Sequence, residues 1–157
     1  MNNLTPKIKI KIQIEDFDVS EETKILHQNN TGAIVNFVGV VRGYNKKSDQ
    51  VIHSITLEHY PGMTESEIEK IIVVCYERWK LTGVTVIHRV GNLKPSDQIV
   101  FVGVSSKHRQ NAFDACNFIM DWLKTKAPFW KLEENNNERN WVKSNETDNQ
   151  ALKKWEV

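Results

Sequence analysis

Residues 83–106 read GVTVIHRVGNLKPSDQIVFVGVSS, and this stretch decides the fold class. Its two ends, GVTVIHRV and QIVFVGVSS, are dense in Val, Ile and Phe and predict strands, while GNLKPSD between them has the Gly, Pro, Ser and Asp of a tight connection. Immediately downstream, Ala112, Ala115, Cys116, Ile119, Met120 and Leu123 fall on one helical stripe. They predict a helix over 109–124, which Pro128 prevents from extending.

Working outward toward the amino terminus, VIHSITLEHY (51–60) reads as a further strand. After Pro61-Gly62, Thr64 and Glu67 have capping-box spacing, and Ile68, Ile71, Ile72, Cys75 and Trp79 recur at helical intervals. GAIVNFVGVVR (32–42) is an apolar strand ending in Arg42, and the polar residues 43–50 after it predict an exposed, mobile loop. Ile8, Ile10, Ile12 and Ile14 alternate with Lys7, Lys9, Lys11 and Gln13, the period of a strand with one wet face. Ser20 to Gln28 is a short helix candidate, followed by the breaker Asn29 to Gly32. Toward the carboxyl terminus, FWKLEE and RNWV flank Asn135, Asn136 and Asn137 and predict a terminal hairpin, with a mostly polar tail from Ser144 to Val157. Strands and helices alternate without Gly-rich phosphate loops, so the expected fold is an α+β sandwich with mostly antiparallel strands. A doubly wound parallel sheet is the alternative.

At 157 residues the chain has the size of one domain, with a core that needs no staples. With 21 basic and 20 acidic side chains there is no global field for nucleic acid or an anionic membrane. Neither a secretory h-region nor a membrane span is written into the sequence, so a soluble, cytoplasmic protein is expected. Cys75 and Cys116 lie in apolar helical patterns without a CxxC partner and are expected to be reduced core residues. His27, His53, His59, His88 and His108 show no metal-ligand spacing, so no metal is expected.

Chemistry concentrates in FIMDWLKTKAPFWK (118–131), where Lys124 and Lys131 stand among Leu123, Phe129 and Trp130. Desolvation there would lower a lysine pKa toward proton transfer or nucleophilic attack, and a solvated helix end is the competing reading. Ser105 to Arg109 enters a helix whose free N–H groups, with His108 and Arg109, suit an anion, although a capped helix start with solvated cations reads equally well. Arg42, the His108-Arg109 pair and the two lysines together suggest one pocket for an anionic small ligand. Lys126 should face solvent, Glu58, His59 and Tyr60 suit a strand end packed on the next helix as well as a cleft, and His88 reads as a hydrogen-bonded interior or interface residue.

These motifs, GAIVNFVGVVRG, LEHYPGMTESE, VTVIHRVGNLKPSDQIVFVGVSSKHR and FIMDWLKTKAPFWK, followed by an acidic hairpin containing Trp141, resemble the large, catalytic subunit of molybdopterin synthase over about residues 32–155. The resemblance implies an alpha/beta hammerhead fold and a sulfurtransferase that converts cyclic pyranopterin monophosphate into molybdopterin by installing a dithiolene. It implies no cofactor, because sulfur arrives as the carboxyl-terminal Gly-Gly thiocarboxylate of a small ubiquitin-like subunit. Two large subunits would form the central homodimer of a heterotetramer. By the same resemblance Arg42, His108 and Arg109 would hold the substrate phosphate, Lys124 and Lys131 would be catalytic, and Lys131 and Glu133 would position substrate or tail. Where many relatives carry a polar residue this chain has Val40, and Asn145 falls near a tail arginine of some relatives. Lys46, Lys47 or Lys143 are the candidate replacements, and substrate affinity is what these departures put in question. Two rival classes are a lysine Schiff-base lyase and a non-catalytic module that docks a ubiquitin-like tail. The aromatic surface around Phe129, Trp130 and Trp141 suits docking of the small subunit and packing inside the hairpin equally well. The chain ends without a Gly-Gly tail of its own, so the donor is expected to be a separate chain.

Overall fold

The computed structural model describes residues 7–45, 50–135, 139–142 and 146–155. Two four-stranded sheets dominate them. The first contains β1 (Ile8–Gln13), β2 (Ala33–Val40), β6 (Gly83–Arg89) and β8 (Gln98–Ser106), in the order β1-β6-β8-β2. Only β1 and β6 run parallel, and the β6–β8 and β8–β2 pairs are antiparallel. The α+β reading holds, and the doubly wound alternative is ruled out by this strand order.

Both faces of the first sheet are covered, which is why β8 reads as a continuous apolar run instead of an alternation. On one face Val84, Val86, Val100, Val102 and Val104 pack beneath helices α2 (Met63–Arg78) and α3 (Arg109–Thr125). On the other, Ile87 and Phe101 meet Phe17 and Leu26, which flank the short helix α1 (Val19–Ile25). α1 is shorter than the predicted 20–28 because Leu26 caps it. Ile14 falls beyond β1 and is 67% exposed, so the expected isoleucine face ends at Ile12.

The second sheet, β10-β9-β5-β7, is wholly antiparallel. It joins β5 (Ser54–His59), β7 (Gly91–Leu93), β9 (Phe129–Glu134) and β10 (Arg139–Val142), so the predicted terminal hairpin is present. The predicted tight connection 91–97 is more than a turn, because Gly91 to Leu93 leaves the first sheet to pair with β5 in the second. Val41, Ile52, Ile55, Leu57, Val90 and Leu93 fill the small core under this sheet. Within the expected loop 43–50, β3 (Tyr44–Asn45) pairs with β4 (Gln50–Val51), while Lys46 and Lys47 lie outside the described residues, as do Asn136, Asn137, Lys143 and Asn145.

Two local readings are corrected. α2 is capped two residues earlier than the Thr64/Glu67 spacing implies: Gly62, at φ 83°, is the N-cap, and its N–H donates to the Glu65 carboxylate. Glu67 pairs with Lys70 instead. Trp79 is not the last residue of the α2 stripe but an extended C-cap, packing edge-on against Phe118 and Trp155. The polar tail also contains an unpredicted helix, α4 (Glu146–Lys153), fastened to α3 by buried Leu152 and by the Trp155 indole, which donates to Asp121 at 2.7 Å.

Candidate active site

The sequence makes α3 run the full length of the first sheet, and this fixes where each cation stands. His108 caps its start and Lys124 occupies its last turn. Sixteen residues at a rise of ~1.5 Å separate them by about 24 Å. His108 and Arg109 are both exposed, next to the start of β2. The expected convergence of all the cations on one pocket therefore does not occur within a single chain.

The other four site residues gather at the opposite end. α3 and β2 both run antiparallel to β8, so the exit of β2, with exposed Arg42 just beyond it, lies at the Lys124 end. On β9, Phe129, Lys131 and Glu133 stand directly across from His59, Leu57 and Ile55. Opposed residues share a face, so these three side chains are on the side of the second sheet that covers its core. Lys131 Nζ lies 3.6 Å from Glu133 Oε1. Phe129 stacks on His88 of β6, centroid to centroid at 3.9 Å and 19°, and so ties the lysine-bearing segment to the first sheet.

Electrostatics follow from that packing. His88 is half-buried by surface, yet protein surrounds it closely enough that desolvation pushes its pKa down to about 4, with the charges of Lys124 and His59 acting in the same direction. Its Nδ1 lies 2.8 Å from the Arg89 carbonyl, which fits a neutral ring donating from Nδ1. His88 is thus the hydrogen-bonded interior residue the sequence suggested. The lysines are more open than expected: Lys124 is exposed and the Lys131 side chain is 38% exposed, so desolvation in the free chain is incomplete. Lys126 is exposed, as anticipated.

A groove of about 390 Å³ between β2 and α3 leads to Lys124. Val35, Phe37, Phe113 and Met120 give it an apolar lining. Sequence reasoning missed it, although one signal was present: Phe113, 59% exposed, is a large apolar residue off the buried stripe of α3. Half-buried Trp130 packs edge to face with exposed Tyr60 at 4.2 Å, and the Trp141 side chain lies outside the described residues. Cys75 and Cys116 are free and buried, and burial pushes both thiols up to about 12. Among the described residues no three His, Cys, Asp or Glu side chains are grouped to hold a metal, and no helix is long and apolar enough to cross a membrane.

A family model described as MoaE protein matches residues 12–126. The chain is 50% identical over 149 residues to the molybdopterin synthase catalytic subunit of Vibrio cholerae, covering 94% of this chain and 98% of that one. Against the same subunit of Escherichia coli the identity is 49% over 148 residues, covering 94% and 97%. Among solved structures, the molybdopterin biosynthesis MoaE protein of Burkholderia ambifaria matches with a TM-score of 0.81 at 43% identity, covering 96% and 99% of the two chains. The molybdopterin synthase of Staphylococcus aureus matches with a TM-score of 0.79 at 28% identity, covering 85% and 96%. With the family model spanning most of the chain and half of 149 aligned positions identical to a relative covered almost end to end, the protein belongs to the MoaE family, the catalytic subunits of molybdopterin synthase.

Proposed function

We propose that the chain transfers sulfur to cyclic pyranopterin monophosphate in the cytoplasm, forming the dithiolene of molybdopterin with sulfur from the thiocarboxylate tail of a small ubiquitin-like subunit. The observation that carries this reading is the placement of Lys124 at the end of an open groove, with the Lys131–Glu133 pair and Arg42 grouped at the same end of the molecule. In this reading the Gly-Gly tail lies in the groove and presents its terminal sulfur to the substrate held beside Lys124. A dithiolene has two sulfurs, so two tails are consumed per product, each leaving as an ordinary carboxylate. No bound cofactor is required.

Lys124 supplies and removes protons as sulfur adds to the pterin side chain, and its charge stabilises the developing anion. Lys131, oriented by Glu133, positions substrate and tail carboxylate. Arg42 contacts the substrate phosphate from the same chain. His108 and Arg109, about 24 Å from Lys124 along α3, serve the Lys124 of a second protomer. The working unit is therefore a homodimer at the centre of a heterotetramer, each site drawing on both large subunits.

Single-turnover product formation with a thiocarboxylated small subunit tests the activity, with Lys124→Ala as the control. Mixing Lys124→Ala with Arg109→Ala chains tests the shared site. Each variant alone should be inactive, whereas a random mixture should regain about a quarter of wild-type activity, because half its dimers carry one intact site. No recovery, with mixed dimers demonstrated, would refute the sharing.

A further inference from the structure

No residue of the motif LEHYPGMTESE (57–67) lines the groove, yet the motif touches the lysine-bearing segment repeatedly. Between Lys124 and Lys131 the chain stops being helix, bends and becomes strand. Inside that bend Lys126 and Ala127 donate to the Trp122 carbonyl and Phe129 donates to Ala127. Pro128 has no N–H, and its carbonyl is met from another element: the Thr64 hydroxyl of α2 donates to it at 3.1 Å. The Thr64 Oγ1 in turn accepts the Tyr60 N–H at 3.1 Å. Thr64 is wholly buried, so both its hydrogen-bonding capacities are spent on joining two chain segments. Tyr60 then packs on Trp130, and His59 pairs across the sheet with Phe129.

We infer that Thr64 is a positioning residue for the sulfur-transfer reaction: through the Pro128 carbonyl it fixes the bend that sets Lys124 and Lys131 at their working separation. This rests on the sulfur-transfer reading above. The inference is specific to the hydroxyl, because a residue that only filled space would be replaced well by isosteric valine and poorly by smaller serine. A residue that positions through its hydroxyl gives the reverse order.

The test compares Thr64→Val and Thr64→Ser in the complex with the thiocarboxylated small subunit. Thr64→Val should slow single turnover by about 10- to 100-fold, as expected when reacting groups shift by around an ångström, with the affinity for the small subunit unchanged. Thr64→Ser should stay within about threefold of wild type. Amide hydrogen exchange, which needs no activity, should quicken at Lys126, Ala127 and Phe129 in Thr64→Val alone. Equal rates and equal exchange in both variants, or a serine variant as impaired as the valine one, overturns the inference. If the wild-type protein makes no product, the sulfur-transfer reading falls, and exchange at the bend alone decides whether Thr64 holds it.

Discussion

The two sheets of this protein solve opposite problems. Along β8 every residue from Val100 to Ser106 is buried, and helices close one face of its sheet while Phe17 and Leu26 close the other. Along β9 every residue is only half-buried, and its inward face carries Lys131 and Glu133 beside Phe129. Full burial leaves no room for an uncompensated charge, so the first sheet can scaffold the cations but not hold them. The second sheet is covered just enough to orient them. The lysines of the proposed site collect at the seam between the two, where packing is ordered but incomplete.

The largest effect should come from breaking the half-covered side. Lys124→Ala is expected to reduce single-turnover formation of product by about 10²–10⁴-fold, the range for loss of a proton-transferring group, and Lys131→Ala by less. Melting temperatures should barely move for either. Full activity in both variants would remove the lysines from the mechanism.

The seam itself should respond to pH through His88. Its ordinary pKa of 6.5 falls to about 4 in the folded chain, so folding favours the neutral ring. Its contribution is complete above pH 6.5, declines as pH falls and the unfolded chain takes up the proton, and is gone below about 4. The full swing is at most roughly 3 kcal/mol. Lys124, His59 and Glu65, which pairs with His59 at 3.4 Å, also surround this site. Melting curves of wild type and His88→Phe between these limits isolate the histidine: the variant should lose most of the slope.

A smaller and opposite signature belongs to the closed sheet. A Cβ at Gly103 would come within 2.5 Å of Leu26 Cδ1 and 2.8 Å of the Phe101 ring. Gly103→Ala should therefore cost about 1–3 kcal/mol in stability by denaturant titration, with turnover unchanged at temperatures where the variant remains folded. A loss of turnover without a loss of stability would mean that the two sheets are not separable in this way.

How much was legible in the sequence follows the same division. Runs such as QIVFVGVSS announce fully buried strands, and the α3 stripe was readable to within a residue of its end. β7 was not, because three residues inside a turn-rich connection carry no period. α4 was hidden by polar composition, Leu152 and Trp155 being apolar anchors in an otherwise polar segment. Thr64 and Glu67 have the spacing of a cap, but spacing cannot reveal that Gly62 and Glu65 cap the helix two residues earlier and release the threonine to bind Pro128. The cations were identifiable by type and motif. Their division between the two ends of a long helix was not, because it depends on a length that becomes meaningful only once α3 is laid against the sheet.

The two cysteines give the chemistry a final constraint. Thiols buried and held near a pKa of 12 stay protonated at any physiological pH, and a protonated thiol neither attacks sulfur nor carries it as a persulfide. The proposed transfer therefore draws on neither cysteine as a nucleophile. In the proposed direct transfer from tail to pterin, alkylating reagents should leave turnover intact, and isotopically labelled sulfur found on the large subunit would contradict it.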